Sequence, residues 1–129
     1  MIEISQAGDR KFFVLRWRGA QPRLDIIAVA SELAQFQTDD ASLKVLFDWL
    51  ELESWPFKAP TMAAIEKWKK TVPSISRAAI VHDMKWNRHA ALLAALLRVC
   101  NAQVCSFRPP DFNRAVSWLE KSRQFSALN

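Results

Sequence analysis

The chain is 129 residues long with a formal charge of +5; half of it is apolar and 24% is charged. That length suits one domain that buries about two-thirds of its unfolded surface without a metal or disulfide staple. The composition excludes collagen, a coiled coil, a disordered chain and a multidomain enzyme. The longest apolar run, Ala90 to Leu97, is eight residues, against about 20 for a membrane-spanning helix.

Ile2 to Ser5 alternates apolar and polar residues, as a short strand does. Ala7-Gly8-Asp9-Arg10 reads as a turn, Phe12 to Trp17 as the second strand of a hairpin, and Gly19 as its end. Pro22 suits the first turn of a helix carrying Leu24, Ile27, Leu33 and Phe36 as far as Thr38-Asp39-Asp40. Leu43 to Phe47 has the unbroken apolar character of a buried parallel strand. Leu50 to Ala59 reads as irregular. Pro60 opens a helix with Ile65, Trp68 and Val72 on one face, and Pro73 stops it. Arg77 to Val81 is the next strand, Asp83 a helix N-cap, Trp86 to Val99 a helix and Gln103 to Phe107 the last strand. Asp111 then caps a final helix bearing Phe112, Val116 and Leu119. The order β-β-α-β-α-β-α-β-α implies an α/β domain over 1–129. Its sheet of four to five strands is mostly parallel and covered by helices.

Charge divides along the chain. Residues 1–54 hold six Lys/Arg against nine Asp/Glu, and residues 55–129 hold twelve against four. The basic second half points to an anionic partner or to a solvated basic surface. The opening Met-Ile-Glu-Ile-Ser-Gln lacks the pattern of a signal peptide. The expected compartment is therefore a bacterial-type cytoplasm, with peripheral contact at the inner membrane face. Cys100 and Cys105 are too few for a disulfide framework or a structural zinc site and read as small buried apolar groups.

Four stretches resemble the SpoIIAA-like proteins of the STAS group. They are Val45-Leu46-Phe47-Asp48-Trp49, Glu53-Ser54-Trp55, Ala78 to Trp86, and Phe107 to Leu119. The resemblance implies the same strand and helix order and a core shared with the lipid-binding CRAL-TRIO domains. It also implies ligand binding and membrane association through that kinship, or a protein-interaction role like that of anti-sigma factor antagonists. Those antagonists carry a phosphorylatable Ser at a helix start in an Asp-Ser-Ser-Gly-like context. Here the corresponding loop has Ser54 between Glu53 and Trp55, and the helix opens with Pro60-Thr61.

Ligands of open α/β sheets bind beyond the carboxyl ends of the strands, where Gly19, Asp48, Trp49, His82, Asp83 and Arg108 fall. Asp48, His82 and Asp83 form the one plausible acid–base set. No Gly-x-Ser-x-Gly motif or glycine-rich phosphate loop accompanies them, and the two glycines lie eleven positions apart. His82, Asp83 and His89 match no metal spacing, so neither catalysis nor a cofactor is expected. Trp55 and Phe57 on a Pro-flanked loop, then Trp68 beside Lys67, Lys69 and Lys70, form the pattern of a membrane-surface helix or lid. Covering the sheet explains the same pattern. The apolar Ala90–Leu97 segment reads as core, ligand pocket or dimer face. The expected ligand is a small hydrophobic or lipid-like molecule held by Asp48, Trp49, Trp55, Phe57, Ile65, Trp68, His82, Trp86, His89 and Leu93. Trp55, Phe57, Lys67, Trp68 and Lys70 would meet an anionic membrane. A regulatory protein partner is the alternative. Nucleic acid is disfavoured, since no recognition motif is visible.

Overall fold

The computed structural model describes residues 2–6, 12–20, 26–35, 43–57, 59–72 and 75–120. Strands β1 (Ile2–Gln6) and β2 (Phe13–Ala20) pair antiparallel. Helix α1 (Ile26–Ala34) leads to β3 (Leu43–Ser54), and α2 (Met62–Thr71) leads to β4 (Ile75–Val81). A 3₁₀ turn, Met84–Trp86, opens into α3 (Asn87–Val99), followed by β5 (Gln103–Phe107). A second 3₁₀ turn, Pro109–Asp111, precedes α4 (Phe112–Glu120). The sheet runs in chain order from β1 to β5, and β2 to β5 are parallel.

That order fixes where the helices lie. Three successive crossovers step the same way across the sheet, and crossovers of one hand put their helices on one face. The larger core joins Val29 and Leu33 of α1, Trp68 of α2, and Leu93 and Leu97 of α3 to Leu15, Trp17, Val45, Phe47 and Ile80 of the strands. Alternate strand residues, Leu46, Ala79 and Val81, face the other way and pack with Ala115 and Leu119 of α4. The inner strands are buried on both faces, which is why they read as unbroken apolar runs.

The expected element order is observed, with local differences. β3 continues to Ser54 because it keeps pairing with β2 after β4 has stopped at Val81. Two register shifts carry that extension. The second involves Gly19, whose φ of 70° lies in the left-handed region that glycine enters without a Cβ penalty, so the strand passes through it to Ala20. Thr61, not Pro60, caps α2, its Oγ1 accepting from the Ala64 amide at 3.1 Å. Asp83 caps the 3₁₀ turn ahead of α3, accepting from Met84 N at 2.9 Å. Asp111 lies inside its own 3₁₀ turn rather than capping α4. Helix α3 is not buried all round: Ala91 and Ala95 face solvent and Leu92 is half-buried. Both cysteines are half-buried free thiols. The turn at 7–10, Pro22, Leu24, Phe36, the Thr38-Asp39-Asp40 break and Pro73 lie outside the described residues.

Candidate functional site

At the carboxyl ends of β2, β3 and β4, the face under α1 to α3 carries a continuous aromatic cluster. Trp17 of β2 contacts Phe47 at 5.5 Å and both Trp49 and Trp55 at 6.0 Å. Trp49 meets Trp55 edge-on at 5.4 Å and His82 at 6.1 Å. His89 of α3 stacks on Trp55 at 5.4 Å, while Phe57 and Trp86 approach it edge-on. Arg88 lies 4.4 Å over the Phe57 ring, and Lys85 5.5 Å over Trp86.

The hydrogen bonds of this cluster are incomplete. His89 Nε2 donates to the Trp55 carbonyl oxygen. The neutral ring therefore leaves Nδ1 as an acceptor, and Nδ1 is buried without a partner, as is Trp49 Nε1. Each such atom costs about 1–3 kcal/mol. Burial pushes the His89 pKa below its ordinary 6.5; the bond to the Trp55 carbonyl opposes that shift, and Arg88 adds to it.

The sign of the linkage follows. Between the depressed native value and 6.5 the unfolded chain holds a proton that the native chain does not. The stability from neutral His89 is therefore fully present above pH 6.5 and is lost as pH falls toward the native value. We expect His89→Phe to remove this component, read as the difference between wild-type and variant urea midpoints from about pH 7.5 to 5. Parallel pH profiles for the two proteins would contradict it.

The expected ligand residues thus separate. Trp49, Trp55, Trp68, Trp86, His89 and Leu93 are buried against one another. Phe57 and Ile65 are half-buried against the same core. Trp55 and Trp68 present no surface to a membrane in this conformation: Trp68 is 0% exposed, and its Nε1 donates to the Leu96 carbonyl at 2.9 Å. Lys67 and Lys70 are exposed on the outer side of α2. The acid–base set does not assemble. Asp48 points to the α4 face, where Arg16 Nε reaches its Oδ2 and the Leu50 amide its Oδ1, both at 3.0 Å. The His82 Nδ1 donates to the Asp83 carbonyl at 2.8 Å, and the Asp83 carboxylate is spent on Met84 N. Burial pushes the Cys100 thiol up, which makes it a poor nucleophile. Among the described residues no three His, Cys, Asp or Glu side chains are placed to hold a metal ion. Nor is any helix long and apolar enough to cross a membrane.

An open groove of about 230 Å³ lies between the start of α3 and the end of β5. It is lined by the apolar side chains of Ala90, Ala91 and Phe107 and by the polar ones of His82, Asn87, Ser106 and Arg108. Of the expected ligand residues only His82 reaches it. Sequence reasoning marked Arg108 as a strand end and gave a pocket as one reading of the Ala90–Leu97 segment, and it missed Asn87, Ser106 and Phe107. The legible signal was small residues at 90 and 91 on the helix face that opens at Asn87.

The strand order, the three helices on one face and the closing α4 are the arrangement of a STAS-type domain. The SpoIIAA-like family model matches residues 12–120. The chain belongs to the SpoIIAA-like family. No curated protein matches it. In this SpoIIAA-like chain the helix start that follows β3 is Thr61-Met62. Thr61 and Ser54 are exposed, and the Thr61 hydroxyl is engaged as the cap.

Proposed function

We propose that this SpoIIAA-like chain is a non-enzymatic regulatory module that docks a partner protein at the carboxyl edge of its sheet, centred on the start of α2. The observation that supports this is a pair of exposed methionines. Met62, in the first turn of α2, is 72% exposed, and Met84, just beyond the neighbouring strand β4, is 57% exposed. Exposed apolar side chains that gather into a patch mark interaction sites, whereas scattered ones are ordinary; Met62 and Met84 follow the carboxyl ends of the adjacent strands β3 and β4. Methionine suits adaptable contact surfaces, being unbranched and polarizable. The site coincides with the helix start at which STAS antagonists carry their phosphorylatable Ser, so Ser54 or Thr61 is where modification would regulate docking. A phosphate on Thr61 would add charge at a helix N-terminus while disturbing its cap.

The test is affinity capture from the native host, with wild type beside Met62→Glu/Met84→Glu. Both side chains are exposed, so the variant keeps its circular dichroism spectrum. Loss of two hot-spot contacts weakens a partner by about 30-fold or more. A partner retained stoichiometrically by wild type and lost by the variant is the expected result. Equal recovery by both would overturn it.

A second reading, a small hydrophobic or lipid-like ligand with contact to anionic membranes, draws on the exposed Lys67 and Lys70 and on the CRAL-TRIO resemblance. The groove is smaller than the roughly 300–1,000 Å³ of ordinary ligand sites, and the tryptophans that would form a lid are core. The interaction reading is therefore preferred.

A further inference from the structure

The groove between α3 and β5 has a chemistry that partner docking does not use. The Arg108 guanidinium stands at its rim with no ion pair, hydrogen bond or ring contact among the described residues, unlike its counterparts. Arg16 pairs with Asp48, Arg18 with Glu3 and Glu51, and Arg114 with Asp111. Arg77 and Arg98 donate to carbonyls, and Arg88 lies on Phe57. An unpaired guanidinium beside a concavity is a fork of donors awaiting a planar or tetrahedral anion.

The rest of the rim agrees. Among the described residues no carboxylate lines the groove; that of Asp83, next in chain to His82, is turned to Met84 N. His82 is nine-tenths buried and held by the Asp83 carbonyl at Nδ1. Its Nε2, unbonded among the described residues, accepts from a phosphate hydroxyl or, once protonated, donates to an oxyanion. The Ser106 hydroxyl and Asn87 amide add two neutral donors. An Arg fork with three further polar groups on one concavity suits the three terminal oxygens of a phosphate monoester, which offer more acceptor sites than the two oxygens of a carboxylate. Ala90, Ala91 and Phe107 give its organic group an apolar floor, and the open side lets a longer group leave the groove.

From this convergence we infer that the α3–β5 groove is a binding site for a phosphate monoester, with Arg108 and His82 as its anion-holding side chains. It does not depend on the partner-docking reading, whose residues are Met62 and Met84.

The test is an amide NMR titration of the full chain with phenyl phosphate and inorganic phosphate, at constant ionic strength against chloride. Saturable shifts confined to Asn87, Ala91, Ser106, Phe107 and Arg108 are expected. Arg108→Gln should weaken the dissociation constant at least about tenfold, and Ala91→Leu should do so by filling the floor. Both positions are exposed, so both variants keep the wild-type spectrum elsewhere. Non-saturating shifts, shifts centred on Lys67 to Lys70, or unchanged affinity in Arg108→Gln would overturn the site. Sedimentation with phosphatidic acid vesicles, against phosphatidylcholine alone, distinguishes the source. Arg108-dependent sedimentation assigns a lipid headgroup, and saturable soluble binding without it assigns a free monoester. Failure here leaves partner capture untouched, and failure of capture leaves the titration untouched.

Discussion

Trp68→Ala should lower the unfolding free energy by about 3–5 kcal/mol, the range for removing a large buried aromatic side chain. Trp68 is wholly enclosed between α2 and α3, and its indole also serves the neighbouring helix. The last carbonyls of a helix lack intrahelical partners. At the end of α3, Leu97 O accepts from Cys100 and Ala102, and Arg98 O from Asn101. Leu96 O accepts from Trp68 Nε1 at 2.9 Å. The alanine variant therefore leaves a cavity and takes a partner from a buried carbonyl. Trp68→Phe keeps most of the ring but not the N–H, and should cost less, with an unmade buried hydrogen bond contributing about 1–3 kcal/mol. Denaturant unfolding followed by far-UV circular dichroism separates these, since fluorescence changes with the tryptophan count. An alanine variant within about 1 kcal/mol of wild type would place the ring outside the core and restore α2 as a lid or membrane helix.

The ambiguity of α2 shows what one sequence conveys. Ile65, Trp68 and Val72 fall on one side at helical spacing and the lysines mostly on the other, and this stripe was legible. A helix that covers a sheet and one that lies on a bilayer share that pattern. What decides between them is the neighbour, and Leu96 is 28 positions away. The parallel strands were legible because β3 and β4 are covered on both faces, leaving apolar runs such as Val45 to Phe47 and Ala78 to Val81. The far end of β3 was not legible. Leu50, Glu51, Glu53 and Ser54 are exposed and remain in the sheet through pairing with β2 across two register shifts, which no local pattern announces.

The same limit applies to the two sites. The exposure of Met62 and Met84 depends on which side of each turn the chain leaves uncovered. The groove arises because Ala90 and Ala91 on α3 stand beside Ser106 and Arg108 on and after β5. The segments of Ala90 and Arg108 were each marked in the sequence, but their meeting is a product of the last crossover. Trp55 was legible as a loop aromatic and His89 as a helix residue facing an expected ligand. Their mutual stacking, with Nδ1 left unsatisfied, belongs to the fold.

Trp17→Ala should be as damaging as the loss of Trp68, again about 3–5 kcal/mol, against a total stability of roughly 5–15 kcal/mol for a domain. Trp17 is almost fully buried and touches three other rings. The site cannot collapse readily, because β2 is paired on both edges and holds its backbone in place. A double-mutant cycle with Trp55→Ala isolates what the two rings contribute to each other. A coupling of about 0.5–1.5 kcal/mol is expected for the tilted pair at 6.0 Å. The consequence reaches the proposed docking site, because Trp55 is the first residue beyond β3 and fixes the segment that runs to Thr61 and Met62. Weakening the Trp17–Trp55 contact should raise amide exchange across residues 55–61 before it does so in β4. Additive energies with unchanged exchange in that segment would show that the aromatic cluster is structural alone and does not set the geometry of the α2 start.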